Sequence, residues 1–124
     1  MDNERAKASR FTDLIVWQKA HEFVLSVYRL TGQFPKHELY GLTSQFRRAA
    51  VSVPANIAEG FQTHHPAEKS RYLGIARGSL DECQYYLILA KDLGYGHEDS
   101  LQSLCIEIGK LLRSYQSKVK QSIS

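Results

Sequence analysis

The sequence has few of the residues that build disulfide scaffolds, metal sites and membrane spans. Its two cysteines, Cys83 and Cys105, are too few for a disulfide framework and too isolated for a zinc site. No apolar run approaches the roughly 18 residues that a membrane span needs. The first ten residues are polar and lack the apolar stretch of a signal peptide. We therefore expect a soluble, cytoplasmic protein.

Patterns of catalytic and cofactor-binding residues are absent as well. There is no glycine-rich phosphate loop and no Gly-x-Ser-x-Gly motif. His64 and His65 are adjacent to each other, and so are His21 and Glu22, whereas a helical metal site needs a spacing of four residues. The Glu-x-x-His pairs of di-iron bundles do not occur. We expect a protein that is not an enzyme and that holds no metal or cofactor.

What remains is the composition of one globular domain. The 124 residues are 43% hydrophobic and 23% charged, which is ordinary for a chain that buries a single core. Residues 12–120 are predicted to form the domain, between a disordered N-terminal tail at 1–11 and a C-terminal tail at 121–124. Apolar spacings of three and four residues predict helices, and strand patterns are absent.

Four helices follow from these spacings. Thr12 or Asp13 is expected to cap the first helix, which ends at Gly32, and Gly60 is expected to close the second. Pro66 suits the first position of the third helix, and the segment from Gly94 to His97 connects it to the fourth. The expected core positions are Trp17, Ala20, Val24, Val27 and Thr31; Leu42, Phe46, Ala49, Val53 and Ile57; Leu73, Ala76, Leu80, Cys83, Leu87 and Ala90; and Leu101, Leu104, Ile108, Leu111, Tyr115 and Val119.

Short connections predict an antiparallel, up-down-up-down four-helix bundle. Folding the third and fourth helices back on each other places Cys83 opposite Ile108 and Cys105 opposite Tyr86. The two thiols are then offset along the helix axis by about 4.5 Å. A disulfide between them is not expected, and both cysteines are interpreted as small core residues.

Pro54 lies inside the second helix, so we expect a kink there, or a restart capped by Ser52. The small residues around it allow another helix to approach closely, and Ser70, Gly74 and Gly78 offer a matching flat surface on the third helix. Polar side chains near such a contact need partners. The expected result is a structural network of Asn56, Glu59, Arg71 and Arg77, with Arg47 or Arg48 also within reach.

The chain has more apolar surface than one bundle buries. The five residues from Tyr85 to Leu89 encircle the third helix, and Leu14–Trp17 and Phe23–Leu25 repeat the pattern on the first. A contiguous patch with Tyr and Trp is typical of an interface, so we expect self-association. The candidate interface residues are Trp17, Tyr85, Tyr86 and Leu89.

Basic residues are the remaining candidates for a functional surface. The chain carries 16 Lys and Arg against 13 Asp and Glu, a net charge of +3. Cations concentrate near the C-terminus, where they either complement the helix dipole or form an anion-binding patch. The candidate nucleic-acid-binding residues are Arg47, Arg48, Lys110, Arg113, Lys118 and Lys120.

Several segments together resemble a known family. They are FTDLIVWQKA (residues 11–20), YGLTSQ (40–45), RRAAVSVPANIAEG (47–60), ARGSLDE (76–82) and LGY (93–95). They are similar to the four-helix-bundle proteins related to the 23S rRNA intervening-sequence protein, over roughly residues 11–115. The resemblance implies a bacterial protein that assembles as a homopentameric ring. It also implies a distant relation to accessory proteins of diversity-generating retroelements, which bind RNA and a reverse transcriptase, and it supplies no catalytic residues.

Two function classes remain open. The first is a non-enzymatic RNA-binding assembly, since five chains of net charge +3 would together carry +15 and attract phosphate groups. The second is a protein-interaction scaffold in which the basic charge is incidental. The sequence shows no cluster of aromatic residues that would stack on single-stranded bases, so RNA recognition is expected to depend on backbone or shape.

Overall fold

The computed structural model describes residues 8–122, which form an all-α fold of four α-helices and two short 3₁₀ turns, without strands. The predicted tails at 1–11 and 121–124 lie largely outside these residues. The prediction of an all-α fold with four helices is confirmed for these residues. The helices are α1 (Ile15–Thr31), α2 (Leu42–Gln62), α3 (Pro66–Asp92) and α4 (Asp99–Gln121), and the 3₁₀ turns are Phe11–Asp13 and Lys36–Glu38.

The four helices share one core. Each helix contacts its neighbours in sequence, and α1 also contacts α4. All six core positions predicted on α3 are buried. On α4 the buried stripe is wider than the predicted one: Cys105, Leu112 and Gln116 are buried, whereas Leu104 and Leu111 are only half-buried. The stripe widens because α4 packs against helices on two sides.

Two predicted helix boundaries are wrong. Leu14, not Thr12 or Asp13, precedes the first residue of α1. The Asp13 carboxylate instead accepts hydrogen bonds from the backbone N–H groups of Ser9 and Arg10, each at 3.1 Å, and these bonds lower its pKa.

Gly60 does not end α2, which continues to Gln62. Gly60 is buried under α3, so its missing side chain serves packing rather than termination.

The small residues of α3 face a different helix from the one expected. Ser70 and Gly74 lie against α4, where the Gln116 side-chain amide donates to the Ser70 carbonyl at 2.8 Å. Gly78 faces solvent, and a Cβ placed on it would meet no atom within 4 Å. On α3 it is Ser79 that makes a polar contact with the middle of α2: its hydroxyl donates to the Ser52 hydroxyl at 2.7 Å.

The cysteines are buried free thiols, as expected, but the expected pairing of Cys105 with Tyr86 is wrong. Tyr86 faces α2, where its ring packs against Phe46 with centroids 5.6 Å apart. Cys105 lies by Leu80, with its Sγ 3.9 Å from the Leu80 carbonyl oxygen. Burial raises the pKa of both thiols, so both stay protonated and unreactive.

At one end of the fold, Glu38 joins two connecting segments. One carboxylate oxygen accepts the Leu42 backbone N–H at 3.0 Å, in the first turn of α2, and the other accepts the Tyr95 hydroxyl at 2.8 Å. Gly41 leaves room for this arrangement, because a Cβ there would lie 2.8 Å from the present position of a Glu38 carboxylate oxygen. The carboxylate thereby ties the α1–α2 connection to the α3–α4 connection.

The glycines of α2 and α3 give a matched test of packing. Replacing Gly60 by Leu should destabilise the fold by about 1–3 kcal/mol, because its Cβ position is already 3.4 Å from the Tyr72 Cβ. Gly78→Leu should stabilise by up to about 1 kcal/mol, since an exposed helical glycine only weakens the helix. Urea denaturation of both variants measures the difference, and equal midpoints would contradict this assignment of the two faces.

The Glu38 contacts predict a dependence of stability on pH. The Leu42 N–H and then the Tyr95 hydroxyl lower the pKa of Glu38 below its ordinary value. Its contribution is therefore complete above that ordinary value and disappears as the pH falls through the lowered one, from about pH 5 downward. Thermal melts of wild type and Glu38→Gln across this range should converge as the pH falls. Parallel curves would show that the carboxylate contributes nothing.

Candidate nucleic-acid interface

A concave groove lies beside the N-terminal half of α2. It has a volume of about 620 Å³ and is lined by two arginines, two tyrosines, hydroxyl side chains and aliphatic residues. None of its lining residues is a carboxylate. The lining consists of Tyr28, Leu39, Tyr40, Thr43, Ser44, Arg47, Arg48, Val51 and Ser52.

Arg47 is fixed in one wall of this groove. Its Nε donates to the Thr31 hydroxyl at 2.8 Å, and Thr31 is buried. Its guanidinium lies over the Tyr28 ring, 4.4 Å from the centroid. The contact joins α2 to the last turns of α1 and holds the arginine in place before any ligand arrives.

Arg48 points to the solvent, about 100° around α2 from Arg47. It belongs to a ridge that we define as Tyr40, Ser44, Arg48 and Ser52, spaced four residues apart. The ridge separates the first groove from a second one of about 470 Å³, because all four residues line both. The second groove is completed by Gln45, Ala49, Ser79, Glu82 and Tyr86, so it contains one carboxylate.

One tyrosine belongs to the ridge and two others lie on either side of it, and this arrangement was missed from the sequence. Tyr40 has 92% of its surface exposed, Tyr28 has 44%, and Tyr86 is half-buried with its hydroxyl donating to Gln45 at 3.2 Å. Desolvation raises the pKa of Tyr86, so it stays a neutral donor. Within residues 8–122 no ring contact joins the three: Tyr28 lines the first groove, Tyr86 lines the second, and Tyr40 lines both. The sequence did not indicate that these tyrosines share one surface, because residues 28, 40 and 86 are far apart in the chain.

Comparison with protein families finds one match that spans both grooves. Residues 12–115 match the model of the family described as 23S rRNA-intervening sequence protein. The chain belongs to this family. A search of curated proteins found no match.

Of the four candidate basic residues on α4, two lie inside the 23S rRNA-intervening sequence protein match and two lie outside it. Lys110 and Arg113 lie inside it, whereas Lys118 and Lys120 lie beyond residue 115. Lys110, Arg113 and Lys120 are exposed on the outer face of α4. Lys118 is half-buried and lines a separate cavity of about 330 Å³ with Phe61 and Lys69. The structure therefore does not gather the four cations into one patch.

The side chains of the expected polar network bind different partners. Asn56 donates to the Ser52 carbonyl at 2.8 Å, Arg71 pairs with Glu68 at 2.7 Å, and Arg77 donates to the Gln116 side chain at 2.7 Å. Glu59 is exposed. Within residues 8–122, these side chains form separate local contacts rather than one network. The reason is that each reaches a closer acceptor on its own helix or on α4.

The four candidate interface residues differ in how far their side chains are exposed. Trp17 is half-buried, packed against Phe11 and stacked on His21 at 5.1 Å. Tyr86 packs on the core of this chain, and Leu89 is half-buried. Tyr85 alone is largely exposed, at 55%, and Ile88 on the same helix is 47% exposed.

The described part of this family member offers neither a metal centre nor a membrane span. Among residues 8–122, no group of three or more His, Cys, Asp and Glu side chains could hold a metal ion. None of the helices found there is long and apolar enough to cross a membrane.

Proposed function

We propose that this protein is a non-enzymatic, oligomeric RNA-binding protein of the bacterial cytoplasm, and that RNA binds in the groove beside α2. One observation carries the proposal: the groove lining combines Arg47 and Arg48 with hydroxyl groups and contains no carboxylate. Such a surface attracts phosphate groups and has nothing that repels them.

The chemistry of the lining suits a nucleic-acid backbone. An arginine presents a planar fork of donors that matches two phosphate oxygens, and Ser and Tyr hydroxyls are common donors to phosphate and sugar. Arg48 is exposed and can reach a ligand, while Arg47 is held by Thr31. The family description refers to an intervening sequence of 23S rRNA, which supports RNA as the nucleic acid in question.

The proposal includes an arrangement of the four helices. We take them to run up-down-up-down, with adjacent helices antiparallel and α2 bent at Pro54. Contacts between α3 and α4 support this arrangement: Ser70 meets Gln116, and Leu80 meets Cys105, so residue numbers rise along one helix as they fall along the other. At Pro54 the missing N–H leaves the Ala50 carbonyl without its helical donor, which favours a bend.

We also propose that the chain self-associates, as a homopentameric ring. The exposed Tyr85 and Ile88 on α3 support this, because an oligomer would remove this apolar surface from water. Of the four candidate residues we therefore favour Tyr85, and we add Ile88, because Trp17 and Tyr86 already pack on the chain's own core.

A protein-interaction scaffold is the second candidate function. It is favoured by the apolar part of the same groove, where Tyr28 and Val51 are more than two-fifths exposed and Leu39 is half exposed. A polypeptide partner would cover these side chains with little help from the arginines. The two functions differ in their dependence on salt, because counterion release accompanies phosphate binding.

Arg48→Gln tests the RNA proposal. It should weaken RNA binding by about tenfold, the effect of losing a charge-assisted hydrogen bond, and should make the dependence of affinity on salt less steep. Fluorescence anisotropy with labelled RNA at several salt concentrations measures both. Lys91→Gln is the matched control, because it removes one charge from an exposed position in the last turn of α3 and should change neither.

Gln substitution of Lys110, Arg113, Lys118 and Lys120 together tests the other basic surface. If the groove is the site, this quadruple variant should lose less affinity than Arg48→Gln alone. A larger loss would move the RNA site to α4. An absence of saturable RNA binding by the wild type would leave the scaffold function.

Light scattering tests self-association. The mass should be several times 14.1 kDa, and five times that value for the proposed ring. Tyr85→Lys should shift it toward the monomer, because a charge buried in an apolar interface lacks a partner. A monodisperse monomer at micromolar concentration would exclude the oligomer.

A further inference from the structure

We infer that the groove binds single-stranded RNA and that an unpaired base stacks on the ring of Tyr40. This inference rests on the proposed RNA-binding function and specifies the kind of RNA. The inference depends on one tyrosine, Tyr40, whose side chain is almost completely exposed to solvent.

Tyr40 is the most exposed large hydrophobic residue of the described chain, with 92% of its surface accessible. Its ring and hydroxyl form no hydrogen bond, ion pair or ring contact within residues 8–122. The two other tyrosines that line the grooves already have partners within this chain. The Arg47 guanidinium lies over the Tyr28 ring, and the Tyr86 hydroxyl donates a hydrogen bond to Gln45. The Tyr40 ring is therefore free to contact a ligand.

The surroundings of Tyr40 indicate a nucleotide as its ligand. Tyr40 and Arg48 line both grooves, so a base on the ring and a phosphate on the guanidinium would be held by the same ridge. Ser44 lies between them on the ridge and is half-buried at the groove wall, where its hydroxyl can meet a ribose. Base stacking on an aromatic ring next to a cation is how proteins hold single strands.

A duplex fits this site poorly. In A-form RNA the bases are stacked on each other, and side chains cannot read the deep, narrow major groove. Proteins recognise duplex RNA through phosphates and 2′-hydroxyls across a wide, shallow minor groove, for which an isolated protruding ring is of no use. Loops, bulges and single-stranded ends leave bases free to stack on Tyr40.

The experiment compares a mixed-sequence 20-nucleotide RNA with the same RNA annealed to its complement. We expect the wild-type protein to bind the single strand at least tenfold more tightly at equal salt. Tyr40→Phe should keep this preference, because the ring remains. Tyr40→Leu, which keeps apolar bulk but removes the ring, should lose about tenfold in single-strand affinity and leave duplex affinity unchanged.

Tyr72→Leu is the matched control, since Tyr72 is a half-buried tyrosine of α3 that lies outside both grooves and outside the proposed subunit interface. It should not change the ratio of single-strand to duplex affinity.

Equal binding of single strand and duplex, or equal affinities of the Phe and Leu variants, would overturn the inference. The RNA-binding function would survive in that case if Arg48→Gln still weakened binding. Loss of oligomer mass in Tyr40→Leu would show that Tyr40 is a subunit contact and would also overturn it. If no RNA bound at all, the inference and the proposed function would fail together.

Discussion

The close approach of α2 and α3 is the constraint on which the rest of the structure depends. Buried Gly60 lies against Tyr72 and the Lys69 carbonyl, and Ser52 and Ser79 share a hydrogen bond. Larger residues at these positions would push the helices apart. Because this contact fixes the rotation of α2 about its own axis, it also determines which residues face outward. The outward direction of Ser44 and Arg48 on the ridge is in this sense a consequence of how the rest of α2 packs.

The two adjacent arginines show how packing divides one motif into two roles. Arg47 satisfies the buried hydroxyl of Thr31 and covers Tyr28, so it contributes to the fold as well as to the groove wall. Arg48, one residue further, is exposed. A buried polar atom needs a partner, whereas an exposed guanidinium is available to a ligand. The same reasoning explains why Arg71 and Arg77 are unsuited to one shared network: each is already bound to a near neighbour.

The repeated apolar spacing predicted the number of helices, and it placed all six α3 core residues correctly. The same spacing did not predict the roles of the glycines. Gly60 and Gly78 look alike in sequence, yet one is buried inside α2 and the other is exposed on α3, because a glycine can serve close packing as well as helix termination. It also overestimated the uncovered apolar surface, since Leu14, Val16, Phe23 and Leu87 are buried within this chain.

The sequence by itself determined the all-α class, the number of helices, the core stripe of α3 and the family, because these depend on local spacing and on contiguous motifs. The sequence also proposed Arg47 and Arg48 as binding residues, but only the tertiary structure decided which other side chains line a groove with them. Tyr28, Tyr40 and Tyr86 belong to three separate segments, and no short-range pattern connects them. They line two grooves that share Arg48 because α2 packs between α1 and α3, and side-chain direction around a helix axis depends on what that helix is packed against.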